Sequence, residues 1–167
     1  AVRHTDRTFA LSRDNGMLEV WDIAARREVA KWKAHERPIT SLAASPDGLG
    51  LASASLDGTV KLWAWDGKEI RPSVQPRIGA LHAVAWSRDG AYLAVSGERG
   101  VVLWNVEKPD EPRRLSEASL LAGTVVFGTG LVAFCTADGT VEVRSVKSGE
   151  LRYRYPDQST PTMLQFS

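Results

Sequence analysis

The chain has 167 residues, of which 43% are hydrophobic and 25% charged, a composition that can bury a core and is too apolar for a disordered or collagen-like chain. Lys and Arg number 21 against 20 Asp and Glu, and this net charge of +1 predicts binding to neither nucleic acid nor an anionic membrane surface. Cys135 is the single cysteine, which excludes an internal disulfide framework and is typical of a reducing compartment, so we expect a cytoplasmic location.

A pattern with a period of about 41 residues recurs along the whole chain. Short strand-like strings end in Trp21, Trp63 and Trp104, which are 42 and 41 residues apart, and Arg144 ends a similar string 40 residues later. Repeats of this length are typical of solenoids and propellers. Four turn glycines recur in phase with these strings: Gly16, Gly58, Gly100 and Gly139.

Within each period the sequence predicts short strands joined by tight turns, and no segment shows a sustained helical period. Asp-Gly and Asn-Gly pairs predict hairpin turns, because glycine accepts a positive φ angle at little cost. Four antiparallel strands in about 40 residues form one propeller blade. The second period is the clearest copy, and its predicted strands are Ile39–Ala44, Leu51–Ser55, Val60–Trp65 and Lys68–Val74.

The sequence therefore predicts an all-β chain, a β-propeller of four-stranded antiparallel blades, with about four blades present. The first blade would begin at its second strand, and the last residues would supply an innermost strand, Thr162–Phe166. Alignment of the periods places the first blade in residues 1–37, the next three in 38–78, 79–119 and 120–158, and the closing strand in 159–167.

Two motifs point to a known family. Asp22 follows Trp21 as a Trp-Asp pair, and residues 51–63 read LASASLDGTVKLW. By these motifs the chain resembles the WD-repeat β-propeller family over its whole length, although Ala34 precedes His35 where that family usually has glycine. The resemblance implies a structural tetrad in each well-formed blade. Its members in the second blade would be His35, Ser53, Asp57 and Trp63.

Three of these residues are also the ingredients of a Ser-His-Asp catalytic triad. A catalytic serine needs an exposed hydroxyl beside a base, with oxyanion donors nearby. Here Ser53 and His35 stand at tetrad positions, where a buried Trp63 indole N–H needs an acceptor and an imidazole can bridge a hydroxyl and a carboxylate. No G-x-S-x-G nucleophile elbow occurs in the chain. We therefore expect a structural relay and no catalytic residue.

The other blades depart from the tetrad pattern. In the first blade Leu11, Asn15 and Trp21 stand at the Ser, Asp and Trp positions. Because the relay is incomplete there and in the later blades, we expect the third and fourth blades to depend more on apolar packing. The corresponding residues are Arg77, Val95, Arg99 and Trp104 in the third blade, and Ser116, Phe134, Asp138 and Arg144 in the fourth.

Four blades leave two arrangements open. They could close into a ring alone, or they could form an arc of a seven- or eight-bladed ring. The wedge angle between blades follows from the volumes packed between them, and the consensus-like second blade favours the shallower angle of a larger ring. We therefore expect an arc within a larger protein, since the chain also lacks an initiator Met. A second chain, a second copy or further residues would complete the ring.

No cofactor or metal site is predicted. Gly128–Ala133 spells G-x-G-x-x-A, but a dinucleotide site needs a following helix, and here a strand and an Asp-Gly turn follow. The three histidines, His4, His35 and His82, form no H-x-x-x-H pair, and Cys135 has no second cysteine at metal spacing.

These exclusions leave binding of other proteins, and we expect a non-catalytic protein–protein interaction scaffold. Two alternatives stay open: a half-propeller that dimerises into a complete ring, and a sensor propeller with a small-ligand or catalytic site at its central channel, where the innermost strands offer only His82. The resemblance implies that partners dock on the face with the loops before the innermost strands. Candidate residues of this face are Asp14, Pro38, Thr40, Leu56, His82, Glu98 and Thr162.

Overall fold

The computed structural model describes residues 7–108, 111–118, 125–156 and 164. All secondary-structure elements in this part of the chain are β-strands. Fifteen strands form four antiparallel sheets, one of three strands and three of four strands. The predicted all-β architecture is therefore confirmed. In these residues there is no helix with the length and apolar character to cross a membrane.

Each sheet is a meander in which strands consecutive in the chain pair with one another. The first sheet contains β1 (Thr8–Ser12), β2 (Met17–Asp22) and β3 (Arg27–Lys33). The second contains β4 (Ile39–Ala44), β5 (Gly50–Ser55), β6 (Val60–Ala64) and β7 (Glu69–Val74). The third contains β8 (Leu81–Trp86), β9 (Tyr92–Gly97), β10 (Gly100–Asn105) and β11 (Arg113–Ser116). The fourth contains β12 (Val125–Phe127), β13 (Leu131–Cys135), β14 (Val141–Ser145) and β15 (Leu151–Tyr155).

The second sheet differs from its predicted strands by one residue at three ends. β5 begins one residue early, whereas β6 ends at Ala64 and β7 begins at Glu69. The last two differences follow from a tight turn, since the backbone N–H of Ala64 donates to the Lys68 carbonyl at 2.8 Å. The predicted closing strand, Thr162–Phe166, lies outside the described residues, apart from Leu164.

Three buried apolar clusters join neighbouring sheets in chain order. Leu18 and Trp63 belong to the cluster between the first and second sheets. Leu62 and Trp104 belong to the cluster between the second and third, and Phe134 lies in the one between the third and fourth. Across the described ranges, no such cluster joins the fourth sheet to the first. The sheets are therefore stacked as successive blades.

The contacts between blades identify the innermost strands. β4 packs against β8, and β8 packs against β12. We call the end of the blades that carries the turns at 13–16, 56–59 and 98–99 the upper face. The opposite end, with the turns at 45–49 and 87–91, is the lower face.

Candidate functional site

The second sheet brings the four predicted relay residues into one hydrogen-bonded chain. The indole N–H of Trp63 donates to Ser53 Oγ at 2.9 Å, and Ser53 Oγ lies 2.6 Å from His35 Nε2. His35 Nδ1 lies 3.0 Å from Asp57 Oδ2. These contacts fit a neutral imidazole with its proton on Nδ1, with the serine hydroxyl donating to Nε2.

Thr59 is a further member of the relay that the sequence did not reveal. Its hydroxyl donates to Asp57 Oδ1 at 2.6 Å and lies 3.0 Å from His35 Nδ1. Its backbone N–H also donates to Asp57 Oδ1, at 2.9 Å. The carboxylate thereby closes the turn between β5 and β6. The signal for this role was present, because the residue two positions after a turn aspartate can donate to its carboxylate.

Burial sets the protonation of this site. Removal of His35 from water lowers its pKa below the ordinary 6.5, although the nearby Asp57 carboxylate opposes the change. Burial alone would raise the pKa of Asp57, but hydrogen bonds from Thr59 and His35 outweigh it and the pKa falls below its ordinary value. The relay is therefore a neutral imidazole beside an ionised carboxylate.

This geometry does not suit nucleophilic catalysis. Ser53 has no exposed surface, and His35 is 1% exposed. The Ser53 oxygen also accepts a hydrogen bond from Trp63, so it is held between two ring systems inside the sheet. A substrate carbonyl could not reach this oxygen without opening the blade. What the arrangement can do is fasten the loop that carries His35 to the turn that carries Asp57.

The third sheet shows what happens where the relay is missing. Trp104 is 2% exposed, and its indole nitrogen is buried with no hydrogen-bond partner. Val95 stands at the serine position and offers no acceptor. Trp104 packs instead within the apolar cluster shared with the second sheet. This sheet thus depends on apolar contacts at a position where the second sheet has polar ones.

The first and fourth sheets each use a buried glutamate that no sequence motif marks. Glu19 is 2% exposed and accepts hydrogen bonds from Arg13 Nη2 at 2.9 Å and Trp21 Nε1 at 3.3 Å. Lys31 Nζ lies 2.9 Å from the same carboxylate. Hydrogen bonds from Arg13 and then Lys31 lower the pKa of Glu19 from 4.5 to about 2. The carboxylate therefore stays ionised and joins three segments of the first sheet.

In the fourth sheet Glu142 holds the corresponding place. Its side chain is 7% exposed and lies 2.8 Å from Arg144 Nη2 and 2.7 Å from Arg154 Nη2. Arg144 stands where the other sheets have their repeat tryptophan. The fourth sheet therefore has an ion cluster in place of the indole, in addition to the apolar packing that we expected for it.

The candidate docking residues at the upper face differ in how exposed they are. Asp14 and Glu98 are exposed. His82 lies half-buried on the innermost strand β8. Glu98 Oε2 accepts a hydrogen bond from the backbone N–H of Ala80 at 3.3 Å, which ties its turn to the preceding loop. These residues give the upper face a carboxylate on either side of the second blade.

Three other candidates are engaged in the fold. Thr40 Oγ1 donates to the carbonyls of Leu81 at 2.9 Å and Ala54 at 3.2 Å, so it links β4 to β8. The Pro38 carbonyl accepts a hydrogen bond from the backbone N–H of Leu56 at 3.0 Å, and both residues are half-buried. Thr162 lies outside the described residues.

Two tryptophans outside the relay positions reinforce the junction of the first two blades. The ring centroids of Trp32 and Trp63 are 5.6 Å apart. Trp65 is 8% exposed and donates its indole N–H to the Gly48 carbonyl at 3.1 Å. Neither is a free aromatic anchor for a partner.

Comparisons with known proteins agree with the fold. The family described as "WD domain, G-beta repeat" matches residues 26–64 and 78–105, which include the relay residues of the second sheet. A solved structure, the Cps50 (Swd1) β-propeller domain of Myceliophteria thermophila, superposes with a TM-score of 0.79 at 20% identity. The match covers 94% of this chain and 54% of that one, and it shows the propeller fold.

Relatives of known sequence are of several kinds. The apoptotic protease-activating factor 1 of Rattus norvegicus is 25% identical over 144 residues, which are 81% of this chain and 12% of that protein. The pre-mRNA-processing factor 19 of Oryza sativa subsp. japonica is 35% identical over 85 residues, 48% of this chain and 16% of that protein. The chain thus spans less than one fifth of the length of either relative.

Proposed function

Because residues 26–64 and 78–105 are WD repeats, we propose that this propeller is a non-catalytic protein–protein interaction scaffold within a larger protein or complex. Such propellers generally bind other proteins, and fold alone does not name the partner. The proposed docking surface is the upper face, where Asp14 and Glu98 are exposed and His82 is half-buried.

The observation that carries this proposal is the burial of the Ser-His-Asp set inside the second blade. Ser53 and His35 are sealed from solvent, and their hydrogen bonds are directed to one another and to the fold. The relay therefore supports rigid loops and not a reaction. Rigid loops favour binding, because little conformational entropy is lost when a partner docks.

We also propose that the four blades form an arc of a larger ring. Three apolar clusters join the sheets in order, and in the described part of the chain none connects the fourth sheet with the first. The same observation favours a second candidate function, a half-propeller that a second copy completes. The cytoplasmic location suggested by the single cysteine remains part of the proposal.

A charge-reversal experiment tests the docking surface. The protein is captured from its own cell extract with the Asp14→Arg and Glu98→Arg changes combined, and its partners are identified by mass spectrometry. Loss of stoichiometric partners supports docking on the upper face. The control is Glu107→Arg, which reverses an exposed charge beyond β10 on the lower face. An unchanged set of partners in the doubly substituted protein would overturn the assignment.

A further inference from the structure

A groove of about 360 Å³ opens on the lower face between the second and third sheets. The turn from β4 to β5 forms one wall, and the turn from β8 to β9 forms the other. We define the lower groove by Asp47, Leu49, Ile70, Trp86 and Asp89. It lies at the opposite ends of the strands from the upper face, so it is separate from the docking surface proposed above.

The lower groove is apolar where a turn region is ordinarily polar. Leu49 is 67% exposed at the tip of its turn, and Ile70 beside it is 49% exposed. Leu62 and the half-buried Trp86 line the interior. Adjacent exposed apolar side chains bordering a concave surface are typical of an interaction site. The volume is suited to one large apolar side chain and its neighbours.

Both walls carry a carboxylate that is ionised at neutral pH. Asp47 Oδ1 accepts from the Ser45 hydroxyl at 2.5 Å and from the Leu49 backbone N–H at 2.9 Å. Asp89 Oδ1 accepts from the Ser87 hydroxyl at 2.6 Å and from the backbone N–H of residue 91 at 3.0 Å. These bonds hold the pKa of each carboxyl below its ordinary value. They leave Oδ2 of each aspartate out of the turn.

The walls are also held in place before any partner arrives. The backbone N–H of Gly50 donates to Ser45 Oγ at 2.8 Å, and that of Tyr92 donates to Ser87 Oγ at 2.9 Å. Behind the first wall, Trp65 donates to the Gly48 carbonyl. A preformed groove loses little entropy on binding, so even a short segment can gain useful affinity.

The neighbouring cavity differs from the lower groove in its charged residues. It occupies about 300 Å³ between the third and fourth sheets, with Phe127 and Val146 in its lining. One wall again carries Asp89, but Arg88 lies beside it and Thr129 stands on the opposite wall. Arg71 also lines the lower groove, where it stands with two carboxylates, whereas the neighbouring cavity has one arginine and one carboxylate. The lower groove therefore keeps an excess of negative charge that its neighbour lacks.

We propose that the lower groove binds an extended peptide segment of a partner protein, with a large apolar side chain in the groove and an arginine or lysine two residues away between Asp47 and Asp89. Side chains two apart in an extended segment point to the same side, which matches an apolar floor with charged walls. Ion pairs with two ionised carboxylates give the basic residue its preference.

Binding of defined peptides tests this proposal. The probe is a fluorescein-labelled peptide, Gly-Ser-Leu-Ser-Arg-Ser-Gly with blocked ends, titrated with the intact protein and followed by fluorescence anisotropy. A peptide with Glu in place of Arg is the matched probe. We expect the Arg peptide to bind at least about fivefold more tightly, a difference that shrinks in high salt.

Variants locate the site. Asp47→Asn combined with Asp89→Asn keeps an oxygen acceptor in each turn and removes both charges, and Leu49→Ser removes an exposed apolar side chain. Each should weaken the Arg peptide about fivefold or more without a change in the melting temperature. Asp138→Asn is the control, because Asp138 has the same turn hydrogen bonds on the upper face.

Three outcomes would overturn the proposal. The first is no binding of the Arg peptide at about 1 mM protein, which corresponds to a binding free energy weaker than about −4 kcal/mol. The others are equal affinity for the Arg and Glu peptides, and an equal loss of affinity for the Arg peptide in the Asp138→Asn protein. A failure here leaves the capture experiment on the upper face unaffected, so the two proposals fail separately.

Discussion

Asp57 illustrates how much a single side chain holds together in the second blade. Its carboxylate accepts from Thr59 twice, lies 3.0 Å from the His35 imidazole and accepts the backbone N–H of Glu36 at 3.2 Å. Asp57→Ala leaves the buried His35 without its anionic partner. We expect the free energy of unfolding to fall by about 1–3 kcal/mol, measured by urea denaturation.

Asp138→Ala is the matched control for this loss. Asp138 closes the corresponding turn of the fourth sheet through Thr136 at 2.6 Å and Thr140 at 3.0 Å, but among the described residues no imidazole reaches it. Its removal should cost less than that of Asp57. Equal losses in the two proteins would mean that the turn, and not the relay, accounts for the effect.

His35 makes the stability of the chain depend on pH in a definite direction. Burial lowers its pKa below 6.5, so the folded state favours the neutral imidazole. The contribution of His35 to the free energy of unfolding is therefore complete above pH 6.5. It is lost as the pH falls from 6.5 toward the lower pKa of His35 in the folded state. Unfolding midpoints in urea at pH 7.5 and pH 5.5 should differ, and His35→Gln should reduce the difference. An equal difference in the variant would contradict this role.

Trp104 offers the reverse experiment, in which a missing bond is supplied. Val95→Thr places a hydroxyl where Ser53 accepts the indole of the second blade. Burying an unpaired hydroxyl ordinarily costs about 1–3 kcal/mol, but here it would satisfy an orphaned N–H. We expect Val95→Thr to lower the melting temperature much less than Val60→Thr. Val60 has the same 1% exposure but lies in the second blade, where the Trp63 indole already has an acceptor. Equal thermal destabilisation of the two proteins would refute the explanation.

At the scale of the element, Glu19 adds side-chain ion pairs to strands that already pair through their backbones. It lies on β2, and its partners Lys31 and Arg13 come from β3 and from the turn after β1. Glu19→Gln leaves both cations without their anion, so the melting temperature should fall. Glu28→Gln is the control, because Glu28 is more exposed and lies 3.9 Å from the same lysine. A melting temperature as high in Glu19→Gln as in the control would contradict the role.

The position of this carboxylate also predicts its response to acid. Its pKa of about 2 lies below the ordinary 4.5, so its stabilising effect is complete above pH 4.5 and is lost as the pH falls toward 2. The loss of this contribution begins below pH 4.5, whereas that of His35 begins below pH 6.5, so the two onsets are separable in one acid titration monitored by circular dichroism.

Sequence alone predicts elements well where the signals are local. β4 coincides with its predicted range, because apolar residues and the Ser-Pro-Asp-Gly turn both lie within a few positions. β6 ends and β7 begins one residue inside the predicted ranges, because a bond from Ala64 to Lys68 closes the turn between them. The Asp66-Gly67 pair marks this turn but does not fix which residues close it. Element ends depend on such bonds.

The candidate site is predictable only where residue types repeat in register. Family resemblance supplied His35, Ser53, Asp57 and Trp63, because their spacing survives in the sequence. The resemblance could not supply Glu19. The alternation of residues along β2 assigns Glu19 to one face of the sheet, but it does not show which side chains converge on it. That convergence depends on the path of neighbouring strands, which a single sequence does not specify.

At the scale of the whole molecule, each blade is stabilised from its sides. The second and third sheets are packed between two apolar clusters, one on either face. Among the described residues, the first sheet has such a cluster on one face only, shared with the second sheet, and the fourth sheet has one on one face only, shared with the third. β5 is buried at every position, whereas every residue of β15 is exposed. Stability should therefore decrease from the middle blades outward.

Hydrogen–deuterium exchange of the isolated chain measures this gradient. Local opening is rarest where the most apolar area is lost from water, so amides of β5 and β9 should exchange most slowly and those of β3 and β15 fastest. The outer strands β7 and β11 of the two middle sheets serve as the internal control, since they share the outer position but belong to doubly packed sheets. If the four blades close on themselves, the first and fourth sheets must pack together, and all four sheets would then show equal protection. Equal protection would thus exclude an open arc, whereas slower exchange confined to the two middle sheets requires one.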